Sequence, residues 1–275
     1  MAPKPKSKPT TKASTGVPRL QQQQPQQPPQ RPNWPALTPL PSPLDLTLTT
    51  LVPNQILTIP NLFTSSLCQK YVSFLKSLPL VTTPGKPKRG DAVRVNDRYQ
   101  IDDAEFARRL WEETALKSLV LQGDVDYDGD GVNDGDDEAQ KEKRRREVWG
   151  GEVVGLNPNI RIYRYSEGQF FDQHYDDSNT ILIPASPSQP AGKPLPAKTT
   201  WTLLLYLTTC SGGETVFYPD PPAGKRTKSA PPISAAPEVG LALLHRHGGE
   251  CMLHEGKEVR GGEKWVLRSD LCVRR

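Results

Sequence analysis

The chain is most informative at first for what it lacks. No run of 18 or more apolar residues occurs in its 275 residues, so no spanning helix is expected. The opening Met1-Ala-Pro-Lys-Pro-Lys has no apolar core of a secretory signal and is too rich in proline for an amphipathic transit helix. Cysteine is scarce. Cys68, Cys210, Cys251 and Cys272 form no CxxC pair and no disulfide-framework spacing, which fits a reducing compartment. A nuclear or cytoplasmic protein with no membrane association is the expectation. Apolar residues make up only 35% of the chain, while proline occurs 29 times, so part of the chain is not expected to pack.

That part is expected to be residues 1–50, which carry 12 of the prolines and the Gln/Pro tract Gln21 to Gln30. Polyproline II and coil are the states such a composition favours, and order is expected to begin near Leu51. Six cations against the single acid Asp45 give this stretch a charge of +5, leaving about −1 of the total +4 for residues 51–275. The basic balance therefore belongs to a tail, which argues against a nucleic-acid-binding face on the folded part. A second compositional break spans about 123–146, where an acidic glycine-rich loop precedes Lys141-Glu-Lys-Arg-Arg-Arg146. Asp126 to Asp137 places carboxylates at positions 1, 3, 5, 9 and 12 of a calcium-loop template, with Gly131 at position 6. Position 12 is Asp137 instead of a bidentate Glu, and position 8 is Asn133. The expectation is a solvated insertion balanced by the basic run, without bound Ca²⁺.

Between these breaks the pattern is helical, and after the second it becomes β. Leu67, Tyr71, Phe74, Leu75 and Leu78 recur at helical spacing after a Thr64 or Ser65 cap. A second helix is expected from Ala104 to Leu119, with Phe106, Leu110, Trp111 and Leu116 on its apolar side. Seven short segments rich in branched and aromatic residues follow: Ile160–Tyr165, Phe170–Asp176, Thr200–Leu207, Glu214–Tyr218, Val239–Leu244, Glu250–His254 and Lys264–Val273. Pro184–Pro196 and Pro219–Pro237 read as surface loops. Helices followed by many short strands predict one α+β domain over 51–275 with a jelly-roll core.

Within this β region, His174-Tyr-Asp176 puts an imidazole and a carboxylate on one face of an extended segment. Joined by a later histidine, such a pair makes a 2-His-1-carboxylate site suited to non-haem Fe(II). Three later histidines compete for that role: His245, His247 and His254. The surrounding series is Ile162-Tyr-Arg-Tyr165, Leu204-Leu-Tyr-Leu207, Gly212-Gly-Glu-Thr-Val-Phe217 and His254-Glu-Gly-Lys-Glu-Val-Arg-Gly-Gly-Glu-Lys264. In order and spacing it resembles the prolyl 4-hydroxylase-like branch of the 2-oxoglutarate and Fe(II)-dependent dioxygenases.

The resemblance implies a double-stranded β-helix. It implies His174, Asp176 and His254 as metal ligands, with His254 chosen because a basic residue stands ten positions later. It implies Lys264 as the partner of the far carboxylate of 2-oxoglutarate, and Tyr165 as a residue lining that pocket, although Tyr165 also reads as a core aromatic. Arg268 shares a strand face with Lys264 and either assists it or pairs with an acid such as Asp270. The implied cofactors are Fe(II), 2-oxoglutarate and O2, with ascorbate as an auxiliary reductant. The implied reaction is hydroxylation of a C–H bond of a peptide or small molecule, prolyl peptides included, with release of succinate and CO2. A jelly-roll binding module without turnover is the reading from a different class. Arg94-Val-Asn-Asp-Arg98 reads as too polar for a core strand, and serves as a substrate clamp or as a salt-bridged turn. Oligomeric state has no signal in the sequence.

Overall fold

The computed structural model describes residues 31–83, 90, 92–122, 137–185, 192–220 and 230–275. Helix α1 (Ser65–Leu75) begins where expected, with the Thr64 hydroxyl accepting from the Leu67 amide at 3.2 Å. The expected second helix is two. In α2 (Ala104–Glu113) the Asp103 carboxylate caps the Phe106 amide, and α3 (Leu116–Gln122) follows it. Thr114 makes the break: its hydroxyl donates to the Leu110 carbonyl and accepts from the Leu116 amide, closing one helix and opening the next.

Two expectations are corrected here. Order begins well before Leu51, because Trp34, Leu37, Leu46 and Leu48 are all buried in the core. The Trp34 indole stacks on Phe106 at 4.0 Å and donates to Asp103, so a proline-rich segment is held by docking its few apolar side chains. The expected disordered tail thus does not extend over Trp34 to Leu48, and residues 1–30 lie outside the described residues. The basic run is no solvated loop either. It forms α4 (Glu138–Trp149), started by an Asp137–Gln140 capping box and ended by Gly150 at φ +78°. Asp137, position 12 of the calcium-like loop, is engaged as that cap, and residues 123–136 lie outside the described residues.

The architecture is the expected double-stranded β-helix, with all strand pairs antiparallel. The major sheet runs Thr49–Val52, Ile56–Ile59, Ala242–Arg246, Leu195–Tyr206, Lys264–Arg274, Asn159–Tyr165, Asp97–Asp102 and Val81–Thr82. The minor sheet runs Ile233–Ala235, Thr215–Tyr218, Leu253–Gly256, Phe170–His174 and Arg94–Val95. Ile233–Ala235 and the start of Leu195–Tyr206 fall in the two connections expected as loops. Arg94-Val-Asn-Asp-Arg98 contributes to two strands, one in each sheet. Both are short and close to a sheet edge, where polar side chains are tolerated.

The period of two decides where chemistry sits. On the Lys264–Arg274 strand, Trp265, Leu267, Leu271 and Val273 join the core beneath the helices, while Val266 faces the opposite core between the sheets. On Leu195–Tyr206 the outer set is Trp201, Leu203 and Leu205, and Tyr206 belongs to the inner core. Lys264, Arg268, Thr202 and His245 share the inner parity of these strands. All four are buried.

Candidate metal centre

His174 and His254 face each other in register across neighbouring strands of the minor sheet. Asp176 lies two residues beyond His174, just past the end of the Phe170–His174 strand. The alternation persists there, so Tyr175 is turned outward and Asp176 inward. Ligand-capable atoms of the three residues lie within 4.8 Å of one another. Nε2 of His174 is 3.8 Å from Oδ1 of Asp176, and Nε2 of His254 is 3.8 Å from Oδ2. Each imidazole is tied at its other nitrogen: Nδ1 of His174 to the Asp172 carbonyl at 2.8 Å, and Nδ1 of His254 to the Met252 carbonyl at 2.9 Å. Donation from Nδ1 leaves both Nε2 lone pairs directed at the carboxylate, the tautomer a metal requires.

The electrostatics favour the same protonation states. Burial pushes the His174 imidazole down to about 4, helped by His254, and burial also lowers His254. Both are neutral at pH 7. Burial would raise Asp176, but Arg268, followed by the neighbouring histidines, holds its carboxyl well below the usual range. A neutral, neutral, anionic donor set fits Fe(II).

Asp176 is also held from behind. Its Oδ2 accepts from the Thr202 hydroxyl at 2.8 Å and lies 2.9 Å from the Arg268 guanidinium. Thr202 lies 3.0 Å from Nδ1 of His247, whose Nε2 lies 3.0 Å from the Thr199 hydroxyl, and that hydroxyl accepts from the Asn179 amide. One proton placement satisfies every link: Asn179 N–H to Thr199, Thr199 O–H to His247, His247 N–H to Thr202, Thr202 O–H to Asp176. Oδ1 is left for the metal. Arg268 bridges Asp176 and Asp270 (3.6 Å), so of its two expected roles the structure displays the pairing with acids.

The three competing histidines all lie at this site, in different surroundings. His254 stands opposite His174, and His247 belongs to the support of Asp176. His245 is buried, its Nδ1 3.2 Å from the Arg246 carbonyl and its Nε2 3.6 Å from Asp176 Oδ2 without a hydrogen-bond partner. With Cys251 and His254 it forms a second group able to hold a metal. Sequence reasoning gave Thr202 no place at the site, named His247 only as a competing metal ligand, and named Asp270 only as a partner for Arg268. A signal existed for Thr202, a small polar residue within the apolar run Trp201–Leu205.

Lys264 and Tyr165 pair in register on adjacent strands of the major sheet and line a narrow cavity that continues from His174, Asp176 and His254. The lysine is 5% exposed, and among the described residues it has no carboxylate within ion-pair distance. It donates to the Gly213 carbonyl at 2.7 Å and lies over the Tyr165 and Tyr206 rings. Burial pulls its ammonium down to about 8. A buried cation with no carboxylate partner among the described residues, lining the same cavity as a metal donor set, matches a short dicarboxylate. Tyr206 bonds Thr215 at 2.7 Å, a structural contact within the inner core.

Residues 160–269 match the model of the 2OG-Fe(II) oxygenase superfamily. Solved structures similar to the chain include the viral collagen prolyl hydroxylase of Paramecium Bursaria Chlorella virus-1 in its 2OG complex, at 16% identity, covering 80% of this chain and 96% of that one, with a TM-score of 0.40. A Pseudomonas putida prolyl-4-hydroxylase is 12% identical over 80% of this chain and 94% of its own, with a TM-score of 0.44. The Trichoplax adhaerens prolyl hydroxylase, in complex with a hypoxia inducible factor oxygen degradation domain peptide fragment, is 16% identical over 79% and 83%, with a TM-score of 0.46. No curated protein matches the chain in sequence. No helix among the described residues is long and apolar enough to cross a membrane.

Proposed function

We propose that this chain is a 2-oxoglutarate- and Fe(II)-dependent dioxygenase of the prolyl 4-hydroxylase-like branch, hydroxylating a C–H bond of a prolyl residue in a peptide. The observation that carries the reading is one cavity lined both by a 2-His-1-carboxylate donor set and by Lys264, which has no carboxylate partner among the described residues. His174, Asp176 and His254 hold the iron. Lys264 takes the far carboxylate of 2-oxoglutarate, beside Tyr165, and Arg268 acts on Asp176 instead of on the co-substrate. Iron and 2-oxoglutarate together supply the oxidative decarboxylation that converts O2, co-substrate and a C–H bond into succinate, CO2 and an alcohol. The protein's share is orientation: fixed imidazole tautomers, an anchored carboxylate, and a cation placed to align the co-substrate.

No described residue favours the alternative of a binding module without turnover, since the donor set and the lysine are present together. Calorimetric titration of the metal-free protein tests the assignment. Fe(II) binds the parent, and His174→Ala abolishes the binding; unchanged affinity in that variant sinks the assignment.

A further inference from the structure

Outside the co-substrate cavity, His174 and Asp176 also lie in the wall of an open cleft of about 1430 Å³. Pockets for small molecules usually measure about 300–1,000 Å³, so this cleft has room for several residues of an extended chain. Tyr175, 56% exposed, and Leu182, 64% exposed, line it as well and offer apolar contact. Four arginines face the cleft: Arg94, Arg98, Arg161 and Arg268. Two are neutralised inside the protein. Arg161 pairs with Asp270 at 2.5 Å, and Arg268 pairs with Asp176 and Asp270.

The other two are not. The Arg94 guanidinium rests over the Phe171 ring at 4.7 Å and near the Tyr163 ring at 5.8 Å. Arg98 donates to the neutral amide oxygen of Gln100. Neither has a carboxylate within ion-pair distance among the described residues. Of the acids facing the cleft, Asp102 accepts from Asn159, Asp176 is a proposed metal ligand, and Asp177 is turned to solvent. Burial, together with the nearby Arg94 and Arg161 charges, lowers the proton affinity of Arg98 against the opposing pull of Tyr163 and Tyr165. Among the described residues this wall is short of negative charge.

The backbone fixes both positions. Arg94 stands opposite Phe171 on the edge of the minor sheet, and Arg98 stands opposite Tyr163 on the major sheet, so the pair spans the cleft from both sheets. Phe171 in turn stacks on His174 with ring centroids 3.6 Å apart. Arg94 is therefore one aromatic ring away from a proposed metal ligand.

We propose that Arg94 and Arg98 form a carboxylate-recognition subsite, and that the substrate is a peptide carrying an acidic side chain close to the residue that is oxidised. The proposal rests on the oxygenase reading above. Guanidinium–carboxylate bonds are charge-assisted and orient a planar anion, so they set the register of the chain against the metal centre.

The test uses the full chain loaded with Fe(II) and 2-oxoglutarate and two sets of acetylated, amidated peptides around a central proline. One set carries glutamate at each flanking position in turn, and the other carries glutamine there. Gain of one oxygen and release of succinate are read together. Turnover should concentrate in the glutamate set. Arg94→Gln and Arg98→Gln should each raise KM for those peptides about ten- to hundredfold, with kcat little changed and 2-oxoglutarate affinity unchanged. Equal turnover of the two sets overturns the proposal. So does discrimination that survives in the double variant, no turnover of either set, or preferential oxidation of a free dicarboxylic acid. A protein that binds neither Fe(II) nor 2-oxoglutarate refutes the oxygenase reading itself, so the two failures are distinguishable.

Discussion

At the scale of residues, the centre depends as much on what stands behind the ligands as on the ligands. Thr202 and Arg268 occupy Oδ2 of Asp176, and His247 orients Thr202. Outer hydrogen bonds of this kind are worth about 10–100-fold in metal affinity. Thr202→Val is therefore expected to weaken Fe(II) binding within that range, with Thr202→Ser close to the parent. His247→Leu is expected to resemble Thr202→Val, and the double variant to lose no more than the single ones, which titration of each purified variant would show. Lys264 gives a second prediction through its lowered pKa of about 8. The charged ammonium is the form that binds a carboxylate. Affinity for 2-oxoglutarate should thus hold below pH 8 and fall about tenfold per unit as pH rises above it. Lys264→Arg should flatten that profile, because a guanidinium keeps its charge.

At the scale of elements, the strands were legible as short runs of branched and aromatic residues punctuated by glycine and proline; Lys264–Arg274, buried on both faces, shows no alternation to read. Spacing put His174 and Asp176 on one face, while His254 and Lys264 were reached only through the resemblance to the oxygenases. What stayed hidden depends on contacts distant in sequence. His247 lies outside the strands, and its role depends on Thr199 and Thr202. Asp97–Asp102 did not read as a strand, because a strand near a sheet edge carries polar residues without cost. Residues 34–48 were obscured by proline, since a few apolar side chains at irregular spacing leave no periodic signal. Trp34 tests this correction. Its stacking on Phe106 and its bond to Asp103 tie the segment to α2. Trp34→Ala is expected to cost about 3–5 kcal/mol in denaturant unfolding while the folded fraction keeps its metal affinity.

At the scale of the whole molecule, all four histidines lie in or against the inner β-helix core, and burial depresses every one of their pKa values. An unfolded chain binds those protons near pH 6.5 and the folded chain does not. The stabilisation is therefore complete above about pH 6.5 and is lost as pH falls toward the folded values, near 4 for His174. Metal-free protein should lose stability between pH 7 and 5, by up to about 1.4 kcal/mol per pH unit for each imidazole. Fe(II) should oppose the loss, because it binds only the folded, neutral set.

The central claim is that one cavity binds both iron and 2-oxoglutarate. Anaerobic visible absorption addresses it directly, because 2-oxoglutarate chelated to Fe(II) produces a charge-transfer band that neither component has alone. The parent protein should develop that band at stoichiometric Fe(II), His174→Ala should not, and Lys264→Ala should need far more 2-oxoglutarate to reach it. Absence of the band in the parent, or an undiminished band in His174→Ala, would contradict the account.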